Sequence, residues 1–97
     1  MGGKCVEIYQ LRQFAAVAKT ENMTRAAQSL SMAQPAVSKT IRNLESELGA
    51  ELFERTGKGL RRTEQGDILL RYARAILNAE LDARREIEES LHRAGGL

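Results

Sequence analysis

Between Thr63 and Gly95 the chain carries about thirty residues with a helical apolar period and no proline, and this stretch limits the possible folds most. Thr63 reads as an N-cap, and Gly95-Gly96 as the stop near Arg93. About thirty residues at roughly 1.5 Å each give a helix of about 45 Å. A domain built from the rest of a 97-residue chain is too small to cover it. From Ile68 to Leu81 the helix is apolar around most of its circumference, and only Arg71, Arg74, Asn78 and Asp82 keep a narrow polar strip. Beyond that the stripe thins to Ala83, Ile87 and Leu91. Such a helix needs two neighbours, its own domain and something else. A second copy of the chain is the expected neighbour, facing Leu69, Tyr72, Ala73, Ile76, Ala83 and Ile87.

Three shorter helices are expected before it. Ile8, Leu11, Phe14, Ala15 and Ala18 mark an amphipathic helix from about Ile8 to Lys19. After the polar break Thr20-Glu21-Asn22, either Asn22 or Thr24 can cap a second helix through Leu30, with Ala26, Ala27 and Leu30 facing inward. Pro35 stands in the first turn of a third helix, where its missing amide costs nothing, and Gly49 ends that helix after Leu48. On a helical projection Val37, Ile41, Leu44 and Leu48 fall within about 60° of one another, a buried seam. Pro35, Lys39, Arg42 and Ser46 lie opposite, flanked by Ala36, Ser38 and Asn43. Residues 52–63 read as two short strands around Thr56-Gly57-Lys58-Gly59, with both glycines supplying the unusual backbone angles of the turn.

Size and composition exclude several functions. Ninety-seven residues make one domain of ordinary size and leave no room for a two-domain enzyme. With 42% hydrophobic and 29% charged residues and a mean hydropathy of -0.40, the chain reads as globular. No apolar run approaches the roughly 18 residues of a membrane span, and Met1-Gly2-Gly3-Lys4 lacks a secretory signal. A cytoplasmic location is therefore expected, and an acylation motif at Gly2 fails because Val6 stands where it needs a hydroxyl. The lone Cys5 forms no internal disulfide. His92, the single histidine, reads as solvated, and neither a zinc site nor a histidine-based nucleophile can be assembled within one subunit. No cofactor, metal or catalytic residue is expected. The net charge of +2 divides unevenly: residues 1–63 hold ten Lys/Arg against six Asp/Glu, and residues 64–97 hold five against seven. A basic N-terminal part followed by an acidic helix suits a nucleic-acid module.

Two helices about a short turn, the second with a basic outward face and followed by a basic ribbon, form a winged helix-turn-helix plan. An α-helix fits the major groove, Ser, Lys and Arg reach base edges and phosphates, and Pro35 and Ala36 permit close approach. Arg55, Lys58, Arg61 and Arg62 surround the ribbon's glycines, where they suit phosphates or the minor groove. The competing reading is a helical protein-interaction module whose long helix docks partner helices while its basic face is only solvated.

The blocks Phe14-Ala15-Ala16-Val17-Ala18, Thr24-Arg25-Ala26-Ala27-Gln28-Ser29-Leu30, Ala33-Gln34-Pro35-Ala36-Val37-Ser38, Ile41-Arg42-Asn43-Leu44-Glu45-Ser46-Glu47-Leu48-Gly49 and Leu52-Phe53-Glu54-Arg55 follow one another in order. With Thr63-Glu64-Gln65-Gly66 opening the long helix, they resemble the bacterial LysR-type transcriptional regulators over about residues 7 to 93. The resemblance implies an all-α fold with a small β-wing: a winged helix-turn-helix over residues 1–63, then a linker and dimerisation helix over 64–97. It implies sequence-specific binding of double-stranded operator DNA by a homodimer, at an imperfect inverted repeat often beginning with T and ending with A. Helix 34–48 would enter the major groove and wing 52–63 the minor groove. Carried onto this chain, the implied readers are Gln34, Pro35, Ala36, Ser38, Lys39 and Arg42, with Thr24 on the backbone and Arg55, Thr56 and Lys58 at the wing. Gln34 and Ser38 also fit a role in starting the helix, Arg25 a solvated charge, and Arg61 or Arg62 a pair with Glu54 across the ribbon.

Two departures from the family pattern stand out. Ala33 replaces a serine that caps the third helix in many members, a loss of about 0.5 to 2 kcal/mol that phosphate oxygens can offset in a complex. Full-length members continue into an effector-binding domain with a periplasmic-binding-protein-like fold. The chain is therefore expected to be the DNA-binding part, with the small-molecule effector read elsewhere.

Overall fold

The computed structural model describes residues 5–95, so the readings placed on Met1-Gly2-Gly3-Lys4 and on Gly96 lie outside it. In chain order the elements are α1 (Ile8–Thr20), α2 (Met23–Leu30), α3 (Gln34–Leu48), β1 (Phe53–Thr56), β2 (Gly59–Arg62) and α4 (Glu64–Gly95). The expected winged helix-turn-helix with a long final helix is the observed one.

Local chemistry sets the boundaries. Gln10 Oε1 accepts from the Glu7 amide at 2.9 Å and tethers the start of α1. Glu21, at φ 52°, closes that helix with its amide on the Val17 carbonyl. Asn22, rather than Thr24, caps α2: its Oδ1 accepts from the Arg25 amide at 2.9 Å. Thr63 caps α4, accepting from the Gly66 amide at 3.0 Å while its hydroxyl donates to the Glu51 carbonyl at 2.6 Å. Gly66 is required there, because a Cβ would lie 2.2 Å from the Leu52 carbonyl oxygen.

The core joins all the elements. Phe14, Val17 and Ala18 of α1 meet Ala26 and Ala27 of α2, whose small side chains let the helices approach closely. Val37, Ile41 and Leu44 of α3 close the layer, and Phe53 of the wing packs on Phe14 with ring centroids 5.5 Å apart. Leu48 departs from the expected seam: in the last turn of α3 it is 45% exposed, whereas Leu52 and Phe53 of the segment that follows are buried. Thr40 joins the buried stripe instead, its hydroxyl returned to the Ala36 carbonyl at 3.3 Å.

The wing is a two-stranded antiparallel hairpin pairing Phe53 with Arg62 and Thr56 with Gly59. Of its two glycines, only Gly59 takes a positive φ, 126°, so the expected use of Gly57 is not seen. The Glu45 carboxylate accepts from the Leu52 amide at 2.8 Å and fixes the start of the ribbon against α3.

α4 returns antiparallel along α1, with Arg12 reaching Glu80 at 3.9 Å, and every described residue from Leu81 onward is exposed. Its inner side uses Gly66, Leu70 and Ala73, all buried. Ala73, expected to face a second copy, is therefore a correction: it is wholly buried in the domain's own core. Leu69 is half-buried against the same core. Tyr72, Ile76, Ala83 and Ile87 remain exposed, and Ile68, Leu81 and Leu91 join them. No helix of the described residues is long and apolar enough to cross a membrane.

Candidate nucleic-acid interface

The outward side of α3 gathers most of the expected readers. Gln34, Pro35, Ala36, Lys39 and Arg42 are exposed, and Ser38 is half-buried between them and the body of the domain. Ala33 gives α3 no side-chain cap, as the sequence indicates. Two hydrogen bonds organise this face. The Arg42 Nη1 donates to Ser38 Oγ at 3.1 Å, one helical turn back, which holds the guanidinium along the helix rather than free in solvent. The Thr24 hydroxyl donates to Gln34 Oε1 at a long 3.5 Å, linking the first turns of α2 and α3.

The wing stands beside that helix. A cleft between them is lined by Met23, Ser38, Ile41, Arg42, Glu45, Phe53, Arg55 and Leu60, so Ser38, Arg42 and Arg55 share one depression although Arg55 is thirteen residues from Arg42 in the chain. Thr56 has local work: its hydroxyl donates to the Gly59 carbonyl at 3.3 Å and accepts from the Lys58 amide at 3.2 Å, which shapes the turn that presents Lys58. On the other flank of the wing, Arg25, Lys58 and Arg61 line a second cleft with Thr20, Glu21 and Asn22. Arg25 and Arg61 are thus cations the sequence left undecided, and the contacts that group them cross from α2 to β2.

Arg62 is a correction. Counted among the basic residues of the ribbon, it turns inward. Its Nε donates to Asp67 Oδ1 at 2.7 Å and its Nη1 to the Ala18 carbonyl at 2.7 Å, with Glu21 at 3.7 Å. Neither Arg61 nor Arg62 is seen in an ion pair with Glu54, though Arg61 is Glu54's register partner. Among the described residues, no group of three or more His, Cys, Asp or Glu is placed to hold a metal ion. His92 is exposed near the end of α4.

An exposed helix face with short side chains and two cations, beside a basic hairpin, can enter a major groove and rest on phosphates. The chain compares with known proteins in the same sense. Residues 8–67 match the family described as "Bacterial regulatory helix-turn-helix protein, lysR family". The chain is 48% identical over 86 residues to the RuBisCO operon transcriptional regulator of Allochromatium vinosum, a match covering 89% of this chain and 28% of that protein. Among solved structures, the BenM DBD in complex with catB site 1 DNA superposes with a TM-score of 0.79 at 35% identity, covering 89% of this chain and 96% of that one. The CbnR DBD–DNA complex gives 0.75 at 37% identity, covering 95% and 100%. The chain spans less than a third of the length of the curated relatives it matches.

Proposed function

The chain belongs to the LysR family of bacterial regulatory helix-turn-helix proteins, and from that premise we propose that it is the operator-reading, dimerising part of a transcriptional regulator. Residues 1–63 read double-stranded DNA and residues 64–97 pair with a second copy. One observation carries the reading: Ser38 and Arg42 of α3 share a cleft with Arg55 of the wing, which brings polar groups of helix and ribbon side by side. In this reading Gln34, Pro35, Ala36, Ser38, Lys39 and Arg42 face base edges. Thr24, Arg55 and Lys58 face the backbone or minor groove, and Thr56 contributes by shaping the turn. The exposed Tyr72, Ile76, Ala83 and Ile87 of α4 face the partner, with Leu69 at the margin. Two-fold symmetry of the dimer makes the target an inverted repeat. The protein acts in the cytoplasm, carries out no catalysis, and leaves any small-molecule effector to a domain outside these residues.

A salt titration tests this. Neutralising several phosphates makes log affinity fall linearly with log salt, by about 0.9 for each phosphate contacted. A steep slope, with selective recovery of inverted repeats from random duplexes, is the expected result. A nearly flat slope belongs to a helix-docking module whose basic face is only solvated.

A further inference from the structure

We propose that Arg62 is a positioning residue that sets the angle between the DNA-reading elements and α4, and through it the half-site spacing the dimer accepts. This rests on the dimeric DNA-binding reading above. Between the end of β2 and the first residue of α4 there is only Thr63, so wing and long helix share one joint. At that joint the Arg62 guanidinium has three partners on two helices: Asp67 in the first turn of α4, the Ala18 carbonyl in the last turn of α1, and the Glu21 carboxylate that closes α1. The Arg62 amide donates to the same Glu21 carboxylate at 3.1 Å, and the Leu60 amide to the Glu21 carbonyl at 3.4 Å. The free edge of β2 is thereby held to the corner between α1 and α2.

The chemistry favours arginine here. Ala18 supplies one of the last carbonyls of α1, which have no acceptor role inside the helix, and a cation also suits that negative end of the helix dipole. The planar fork of donors fixes two helices at defined directions, which a single ammonium does not. Leu70 and Ala73 keep α4 on α1 without Arg62, so loss of the fork frees a tilt rather than detaching the helix. Over a helix of about 48 Å, a tilt of about 5° moves the far end by about 4 Å. That is close to the rise of one base pair, about 3.4 Å.

The test selects bound duplexes from a random library long enough for two half-sites, using the 97-residue chain, Arg62→Leu and Asp67→Asn. Arg62→Leu keeps the apolar stem, and Asp67→Asn weakens only the arm to α4. The original chain is expected to enrich inverted repeats of one spacing. Arg62→Leu should enrich two or more adjacent spacings while its affinity for a single half-site stays within about threefold, as for sites that act independently. Asp67→Asn should broaden the spacing less. An unchanged single spacing in folded Arg62→Leu overturns the proposal, as does a half-site affinity that falls together with the spacing preference. If circular dichroism finds Arg62→Leu unfolded, Asp67→Asn decides, and an unchanged spacing there overturns it. Failure of the original chain to enrich any duplex, or any paired half-sites, instead refutes the reading on which the inference rests.

Discussion

Gly66 shows how a single residue holds the wing to the long helix. Its missing side chain lets the first turn of α4 lie under the Leu52 carbonyl, and the substituted Cβ would meet that backbone oxygen at 2.2 Å. A carbonyl on the backbone cannot swing aside as a flexible side chain does. Gly66→Ala is expected to destabilise the domain by about 1 to 3 kcal/mol despite alanine's better helix propensity. For a domain of this size that lowers the melting temperature by roughly 4 to 8 °C per kcal/mol. An unchanged melting temperature would mean that α4 and the Leu52 segment separate freely. The same scale explains Ser38. Half-buried and bonded to Arg42 at 3.1 Å, it steers a neighbour as well as standing among the proposed readers. Substituting both should therefore be less than additive in specific affinity, and a double-mutant cycle measures the difference. Independent effects of Ser38→Ala and Arg42→Ala would remove the steering role.

At the scale of elements, α3 and the wing differ in what they can report. The helix offers side chains of several types on its exposed face, whereas Lys58 projects from a tight turn as a point charge. Lys58→Ala should weaken specific and random duplexes alike and flatten the salt slope by about one unit. Lys39→Ala and Arg42→Ala should instead lower the ratio of specific to random affinity, by about 1 to 3 kcal/mol where a bidentate base contact is lost. Binding titrations on matched duplexes separate the two patterns. The reverse pattern, with discrimination lost at Lys58 and retained at Lys39 and Arg42, would assign the reading to the wing. Circular dichroism must accompany these titrations, because Val37 and Ile41 lie beside the substituted positions and are buried.

For the whole molecule, the decisive property is that α4 outlasts its own domain. The molecule extends 58 Å in its longest direction and 22 Å in its shortest, and α4 is exposed from Leu81 to Gly95. Ile76, 41% exposed, and Ala73, wholly buried, stand on the same helix and predict opposite outcomes. Ile76→Asp should leave a folded chain that sediments as a monomer. Ala73→Asp places a carboxylate in the α1–α4 core and should unfold the domain, since a buried unpaired charge costs several kcal/mol. Sedimentation at micromolar concentration with circular dichroism distinguishes the two. A fully dimeric Ile76→Asp would move the interface elsewhere, and a folded Ala73→Asp would contradict its burial.

Most of the element order and the exposed basic face of α3 were legible in the sequence because they are local. Caps, a proline in a first turn, Gly49 after Leu48 and the Val37, Ile41, Leu44 stripe act over four residues or fewer, and the helical period alone puts Lys39 and Arg42 on the far side of that stripe. Tertiary structure decided what depends on distant neighbours. The period of α4 gives more apolar surface than one neighbour covers, but only the antiparallel packing on α1 turns Ala73 inward and leaves Ile76 out. The period of α3 includes Leu48, but the fold leaves Leu48 exposed and buries Leu52 and Phe53 of the segment after Gly49 instead. Charge counting puts Arg62 with its basic neighbours in the ribbon, while its partners Ala18 and Glu21 lie 44 and 41 residues away. Those choices follow from which surfaces meet once the chain has closed on itself, and no local period or motif carries that information.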